Sequence, residues 1–421
     1  MLRKHRVAAS LFILYASFYL CRTNVDASFP LLSRAYGYDK EQLGRLSSIA
    51  ILAYALGKLT LGPLGDVTGG RRLLGFAVGG SVAASLALGA GSSLGLLTFF
   101  AALNRWFQAG GWIGLIHVAS REFPPREHGS VMGAISTSYE IGNVIALLLC
   151  GALVEVGLGW RALFVVNPIL FGLVGLAVAG TLGRRSAGGS EGKPVAHAEP
   201  AATARNEEMR GSLWRRLGWL SRLPSFWIAL ALSVLLTFVR TGFLTWTPTF
   251  MAELTARDGG RISGAIVKSA IFPAAGVVGA LTAGRASDRY GSGRRVPVVA
   301  ISLGLLLISV LVLGHARIGN AAAMATIGAC GLFLLGPYSL VGGAIALDVG
   351  KTRAAATAVG MLDAGGYLGA SLAGVLLGAL AERRGWSAAF DALALAVFVA
   401  AIVAIVWAFS TSAWSRAKET S

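Results

Sequence analysis

Four basic side chains stand inside apolar runs: Arg22 in FYLCRTNVDASFP, Lys58 in AYALGKLTLG, Arg105 in LNRWFQAGGW and Arg240 in TFVRTGFLTW. Three acids share such surroundings: Asp26, Glu140 in SYEIGN and Asp363 in MLDAGGYLG. An ionised side chain at the centre of an apolar span costs roughly 2.5–3.5 kcal/mol to insert, so it normally faces a partner or a watery cavity. A guanidinium presents a planar fork of donors that matches phosphate or carboxylate with paired hydrogen bonds. These residue types therefore point to recognition of a small anion, with Arg22 and Arg240 as a clamp and Lys58 as an added point charge. The alternative for Arg22 is a buried pair with Asp26, one helical turn away, that only holds helices together. For Lys58 the alternative is snorkelling to an interface. Glu140, Asp363 and Asp26, with Arg105 beside them, have two readings: charge balance or proton coupling. Tyr19, Tyr139 and Trp112 flank charged or glycine-rich turns and are expected to line the cavity. The other aromatics in spans read as packing or interface anchors.

The elements that must position these groups are membrane helices. Of 421 residues, 55% are hydrophobic, and the mean hydropathy is +0.67. A soluble domain cannot hide that much apolar surface. Twelve spans are expected, near 7–32, 45–65, 73–92, 95–119, 130–154, 162–182, 224–250, 262–284, 296–314, 320–347, 355–380 and 387–410. All must be helical, because lipid satisfies no backbone polar group. The first run is too long for a signal-peptide core and lacks a small-residue cleavage site, so it reads as a retained helix. Cys21, Cys150 and Cys330 each lie in an apolar run, and the five histidines show no metal-ligand spacing. No disulfide framework, metal or cofactor is expected. No nucleophile–base set or phosphate loop appears, which argues against an enzyme.

The net charge of +17 follows topology. With the N-terminus inside, 23 of the 37 Lys and Arg residues fall on the inner side, 10 on the outer side or toward the outer ends of spans, and four in mid-span. This asymmetry places both termini in the cytoplasm and removes the case for nucleic acid. The segment between the sixth and seventh spans begins as a polar linker. It ends as SLWRRLGWLSRLP, where Leu213, Leu217 and Leu220 recur at helical spacing, an amphipathic stretch for the inner leaflet. The expected organisation is a six-helix bundle over 1–183, a linker over 184–223 and a second bundle over 224–421.

The halves repeat. GPLGDVTGGRR (Gly62, Asp66, Arg71, Arg72) follows the second span, and GRASDRYGSGRR (Gly284, Asp288, Arg289, Arg294) follows the eighth. Gly62 to Gly284 and Asp66 to Asp288 are the same interval. Arg22 to Arg240 is slightly shorter, and GWRALF to GWSAAF slightly longer. Same-direction six-helix repeats are the plan of the major facilitator superfamily. The two loops resemble that superfamily's G-x-x-x-D-(R/K)-x-G signature. Glycines there permit tight turns and the Asp can pair with arginines, so both loops read as gates rather than substrate contacts.

Nearly the whole chain resembles the organophosphate:phosphate antiporter family, which includes glycerol-3-phosphate, hexose-phosphate and phosphoglycerate transporters. FYLCRTN is similar to its Y-Y-x-x-R-x-N, AYALGKLTLG to A-Y-G-x-S-K-F-x-x-G, and FVRTGFLTWTPTF to R-Y-G-x-x-D-W-x-P-T-Y. FQAGGW and LLGPYSLVGGAIALD resemble two further family patterns. The resemblance implies that Arg22, Arg240 and Lys58 bind phosphate and that an organophosphate or phosphonate is moved, in exchange for phosphate. Tyr139 replaces the family's helix 5 histidine and Thr245 its helix 7 aspartate. Arg105 and Gln108 instead resemble the R-x-x-Q-G of proton-coupled members, and FLTWTPTF resembles symporters of sugar acids. Proton-coupled uptake of a carboxylate is therefore the second reading, and a transporter-like ligand sensor the third. The expected setting is the inner membrane, as a monomer, with lipid and a small anion as the only partners.

Overall fold

The computed structural model describes residues 2–123, 131, 135–183, 215, 218–289, 295–316 and 318–419. Every regular element among them is helical. The first half holds α1 (Leu2–Phe18), α2 (Leu20–Tyr36), α3 (Lys40–Thr68), α4 (Gly70–Ala90), α5 (Leu94–Glu122), α6 (Ser138–Glu155), α7 (Trp160–Leu163) and α8 (Val166–Gly183). The second half holds α9 (Pro224–Arg257), α10 (Ile262–Ser269), α11 (Ile271–Arg289), α12 (Arg295–His315), α13 (Asn320–Leu340), α14 (Ala346–Arg384) and α15 (Trp386–Glu419). A π-helical turn, Val341–Ile345, joins α13 to α14.

Helix ends follow local chemistry. Asp39 starts α3 with a reciprocal cap: its carboxylate accepts from the Gln42 amide at 2.7 Å, and the Gln42 side chain accepts from the Asp39 amide at 3.1 Å. Gly37 ends α2 at φ 71°, and Pro224 opens α9 where its missing N–H is not needed. Ten helical stretches among the described residues are long and apolar enough to cross a bilayer. The first crossing is the pair α1–α2, divided at Tyr19. The remaining one is α5, long enough at 29 residues but interrupted by Asn104, Arg105 and Gln108. The twelve-helix arrangement of two bundles follows. Large apolar side chains such as Leu59 and Leu176, 71% and 72% exposed, project from its rim, as lipid-facing positions do.

The two halves pack their helices alike. A side chain at Gly57 of α3 would meet the Trp106 carbonyl of α5 at 2.7 Å. Gly279 of α11 is the equivalent position in the second half, and a side chain there would meet the Leu332 carbonyl of α13 at 2.0 Å. Small residues here let backbones approach in lipid, where no hydrophobic force drives helices together. Between halves, α3 packs on α14, α6 on α10 and α11, and α2 on α9.

Several expectations change. The first and eighth spans are each two helices, divided at Tyr19 and Ala270, and the expected break between the tenth and eleventh spans is helical throughout. Gly62 and Gly284 lie inside α3 and α11 and make no turn. The turn after α3 uses Gly69, at φ 83°, because a residue there must adopt a conformation that side chains oppose. Most of the linker, including Leu213 and Leu217, and also Arg294 fall outside the described residues, as do the side chains of Asp66, Asp288 and Arg289. Arg71 pairs with Glu122 of its own half at 2.9 Å, and Arg72 is exposed.

Candidate functional site

Tyr19 is where the site begins. Its amide donates to the Ala16 carbonyl and its carbonyl accepts from the Arg22 amide, both at 3.1 Å, so the helix tightens by one residue at the α1–α2 division. Gly142 of α6 closes on this turn; a side chain there would meet the Ala16 carbonyl at 2.4 Å. The division brings Arg22, near the start of α2, between Gln108 of α5 and Tyr54 of α3.

Arg22 is held by neutral groups. Its Nε donates to the Gln108 side-chain oxygen at 2.8 Å and one Nη to the Tyr19 hydroxyl at 3.3 Å. Its guanidinium carbon lies 4.5 Å from the Tyr54 ring centre and 4.9 Å from that of Tyr19. Gln108 is itself fixed, since its amide nitrogen donates to the Cys21 carbonyl at 2.9 Å and to Asn104 at 2.5 Å. Among the described residues no carboxylate lies within ion-pair distance of Arg22.

The other three cations each have an acid. Arg240 donates to one oxygen of Glu140 through Nη2 at 2.6 Å and Nε at 3.1 Å. Lys58 pairs with Asp363 of α14. Arg105 faces Asp26 at 3.6 Å and donates to the backbone carbonyl of Arg22 at 3.3 Å. The Arg240 and Lys58 pairs join opposite halves of the molecule; the Arg105 pair lies within the first. The Glu140 side chain is 4% exposed, whereas that of Asp363 is 42% exposed and reaches open space.

Tyrosines connect the cations. Arg240 sits 5.3 Å from the Tyr139 ring and 5.1 Å from that of Tyr338, and Lys58 sits 4.6 Å from that of Tyr367 and 5.3 Å from that of Tyr54. The Tyr19 and Tyr139 rings are 6.4 Å apart, so one aromatic step separates Arg22 from Arg240. Ring faces stabilise a cation by about 0.5–2 kcal/mol without neutralising it, which leaves its charge available to an anion.

Residues 11–340 and 259–421 match the Major Facilitator Superfamily. The chain belongs to that superfamily.

Relatives of this superfamily member include a probable hexose phosphate transport protein of Chlamydia pneumoniae, 28% identical, with 94% of this chain and 90% of that protein aligned. The glycerol-3-phosphate transporter of Bacillus subtilis is 26% identical over 96% and 92% of the two chains. The membrane sensor protein UhpC of Salmonella typhimurium is 26% identical over 95% and 90%. Among solved structures, an inward-facing bacterial homologue of the lysosomal transporter Spinster superposes with a TM-score of 0.72 at 15% identity, over 98% and 97% of the chains. That likeness is one of fold.

Within this facilitator fold the expected residues fall into two groups. Arg22, Arg240, Lys58, Tyr19, Tyr139, Glu140 and Asp363 converge. Trp112 stands behind them, with its ring 4.8 Å from that of Tyr15. Two of the alternatives fall away. Asp26 faces Arg105 rather than Arg22, because Arg105 reaches across from α5 while Arg22 turns toward Gln108. Lys58 does not snorkel, being paired in mid-span. Gln108, Tyr54, Tyr338 and Tyr367 also hold the cations, although the sequence does not single them out for that role. Their signal in the sequence is polarity, or a ring hydroxyl, at mid-span. A small apolar cleft beside Trp246, Leu377 and Phe390 is lined by no ionisable group and is separate from the site.

Proposed function

We propose that the protein is a secondary transporter of a small organic anion, an organophosphate or phosphonate, with inorganic phosphate as an exchange partner. Arg22 carries this reading. It is a mid-membrane guanidinium that neutral groups orient and no described acid neutralises. Arg240 supplies the second arm and Lys58 a point charge, while Tyr19 and Tyr139 form the wall between the arginines and Trp112 supports that wall. Relatives named for transport of hexose phosphate and glycerol-3-phosphate support phosphate as the recognised group. The bundles over 1–183 and 224–421 rock about this site to give alternating access. The distribution of basic residues supports both termini in the cytoplasm of the inner membrane, with a monomer as the working unit.

The test is radiolabelled phosphate exchange in proteoliposomes, with and without a pH gradient. Exchange that ignores the gradient and is lost in Arg22→Ala and Arg240→Ala supports antiport. Uptake of a carboxylate that requires the gradient supports the proton-coupled reading, with Glu140, Asp363 or Asp26 carrying the proton. The relative named as a membrane sensor favours a further reading. Phosphate binding by calorimetry with no exchange or uptake makes the protein a ligand sensor.

A further inference from the structure

The interval from Glu140 to Asp363 matches, within a few positions, those from Gly62 to Gly284 and from Arg22 to Arg240. The two acids are therefore equivalent positions, one on α6 of the first half and one on α14 of the second. Repeat symmetry alone would set each acid against the arginine of the opposite half. One such contact exists, Glu140 with Arg240. Its mate, Asp363 with Arg22, is replaced by Asp363 with Lys58. In the second half the position equivalent to Lys58, at the Gly62-to-Gly284 interval, is Ala280. Lys58 thus breaks the symmetry: it diverts Asp363 and leaves Arg22 without an acid among the described residues.

We infer that Glu140 and Asp363 are resident counter-anions that take the place of cargo on Arg240 and Lys58 when none is bound, while Lys58 keeps Asp363 off Arg22 so that Arg22 receives the incoming anion. The inference rests on the anion-transporter reading. Its physical basis is the cost of closing two halves around bare like charges in a low-dielectric interior. Cargo first meets Arg22 and then competes with the two carboxylates for Lys58 and Arg240. After it leaves, both carboxylates return to their cations, and both pairs again tie one half to the other. The consequence is a mode of transport: the carrier changes its facing without cargo, so net flux accompanies exchange.

Proteoliposomes loaded with radiolabelled inorganic phosphate separate the two modes. Efflux into phosphate-free buffer measures net flux, and efflux into unlabelled phosphate measures exchange. Asp363→Asn and Glu140→Gln are each expected to lower the ratio of net flux to exchange by about tenfold or more, as loss of a charge pair shifts a two-state equilibrium. Asp363→Glu is expected to restore it. A ratio near zero in the wild type, or the same ratio in wild type and variants, overturns the inference. A readout that needs no transport comes from spin labels at Ala35 and Arg257 in phosphate-free buffer. Two distance populations in the wild type and one in Asp363→Asn support the inference, and indistinguishable distributions overturn it. If the wild type neither exchanges nor releases phosphate, the cargo reading falls and the spin labels alone judge the counter-anions.

Discussion

At the scale of single residues, orientation of Arg22 by an uncharged amide is the feature that matters. Gln108 is isosteric with glutamate. Gln108→Glu would place a carboxylate against Arg22, so phosphate exchange should fall roughly 100-fold, since two charge-assisted hydrogen bonds to the anion are then contested. Gln108→Ala removes the positioning bond and leaves the charge, so a loss of about tenfold is expected, seen mainly in KM. Arg22→Lys keeps the charge and loses both the fork and the Gln108 contact. Exchange below a tenth of wild type is expected, as for other paired-contact sites. The charged residues were legible in the sequence because each violates an apolar span. Gln108 was less so, because a neutral amide in a span is a weaker violation and its partner lies 86 positions away.

At the scale of elements, close helix approach sets where the charges meet. Gly279→Ala puts a methyl against the Leu332 backbone at 2.0 Å, which only a shift of α11 from α13 can relieve. A melting temperature lower by several degrees in detergent is expected. Gly62→Ala meets nothing within 4 Å and lies inside a helix, so it should leave the melting temperature unchanged or raise it. The long spans and the repeat of the halves were legible from apolar runs and a nearly constant offset. The division of the first span at Tyr19 was not, because FYLCRTN contains neither glycine nor proline to mark it. The close approach of Gly142 coincides with that division, and its position in the sequence gives no sign of what it will meet.

At the scale of the molecule, the halves meet on the face that carries the α2–α3 and α9–α10 turns. There Lys40 reaches Glu253 at 3.0 Å and Glu382 at 3.2 Å, Arg383 reaches Glu41 at 2.6 Å, and Arg261 reaches Glu155 at 2.7 Å. Several of these partners are largely exposed, so water and salt weaken them. The tighter lock is backbone contact: side chains at Gly44 and Gly378 would each meet a carbonyl of the opposite half at 2.4 Å. Gly378→Leu should therefore open this face, lengthening the spin-label distance between Ala35 and Arg257. Raising salt to about 0.5 M should move that distance far less, because screening acts on the exposed pairs and leaves the backbone contact intact. No change in Gly378→Leu would show that the ion pairs hold the face shut.

The sequence by itself determined the membrane setting, the helical class, the duplication and the identity of the charged residues, because the cost of each is local. A charge in an apolar span is expensive wherever its neighbours lie, and a repeat offset is a matter of counting. Only the tertiary structure decided which acid meets which base. Four cations and three acids within one membrane core permit many pairings of similar Coulomb energy. The choice among them depends on how far each helix is rotated and how closely it approaches the next, which glycine contacts such as Gly142 on Ala16 fix across distances no local pattern records.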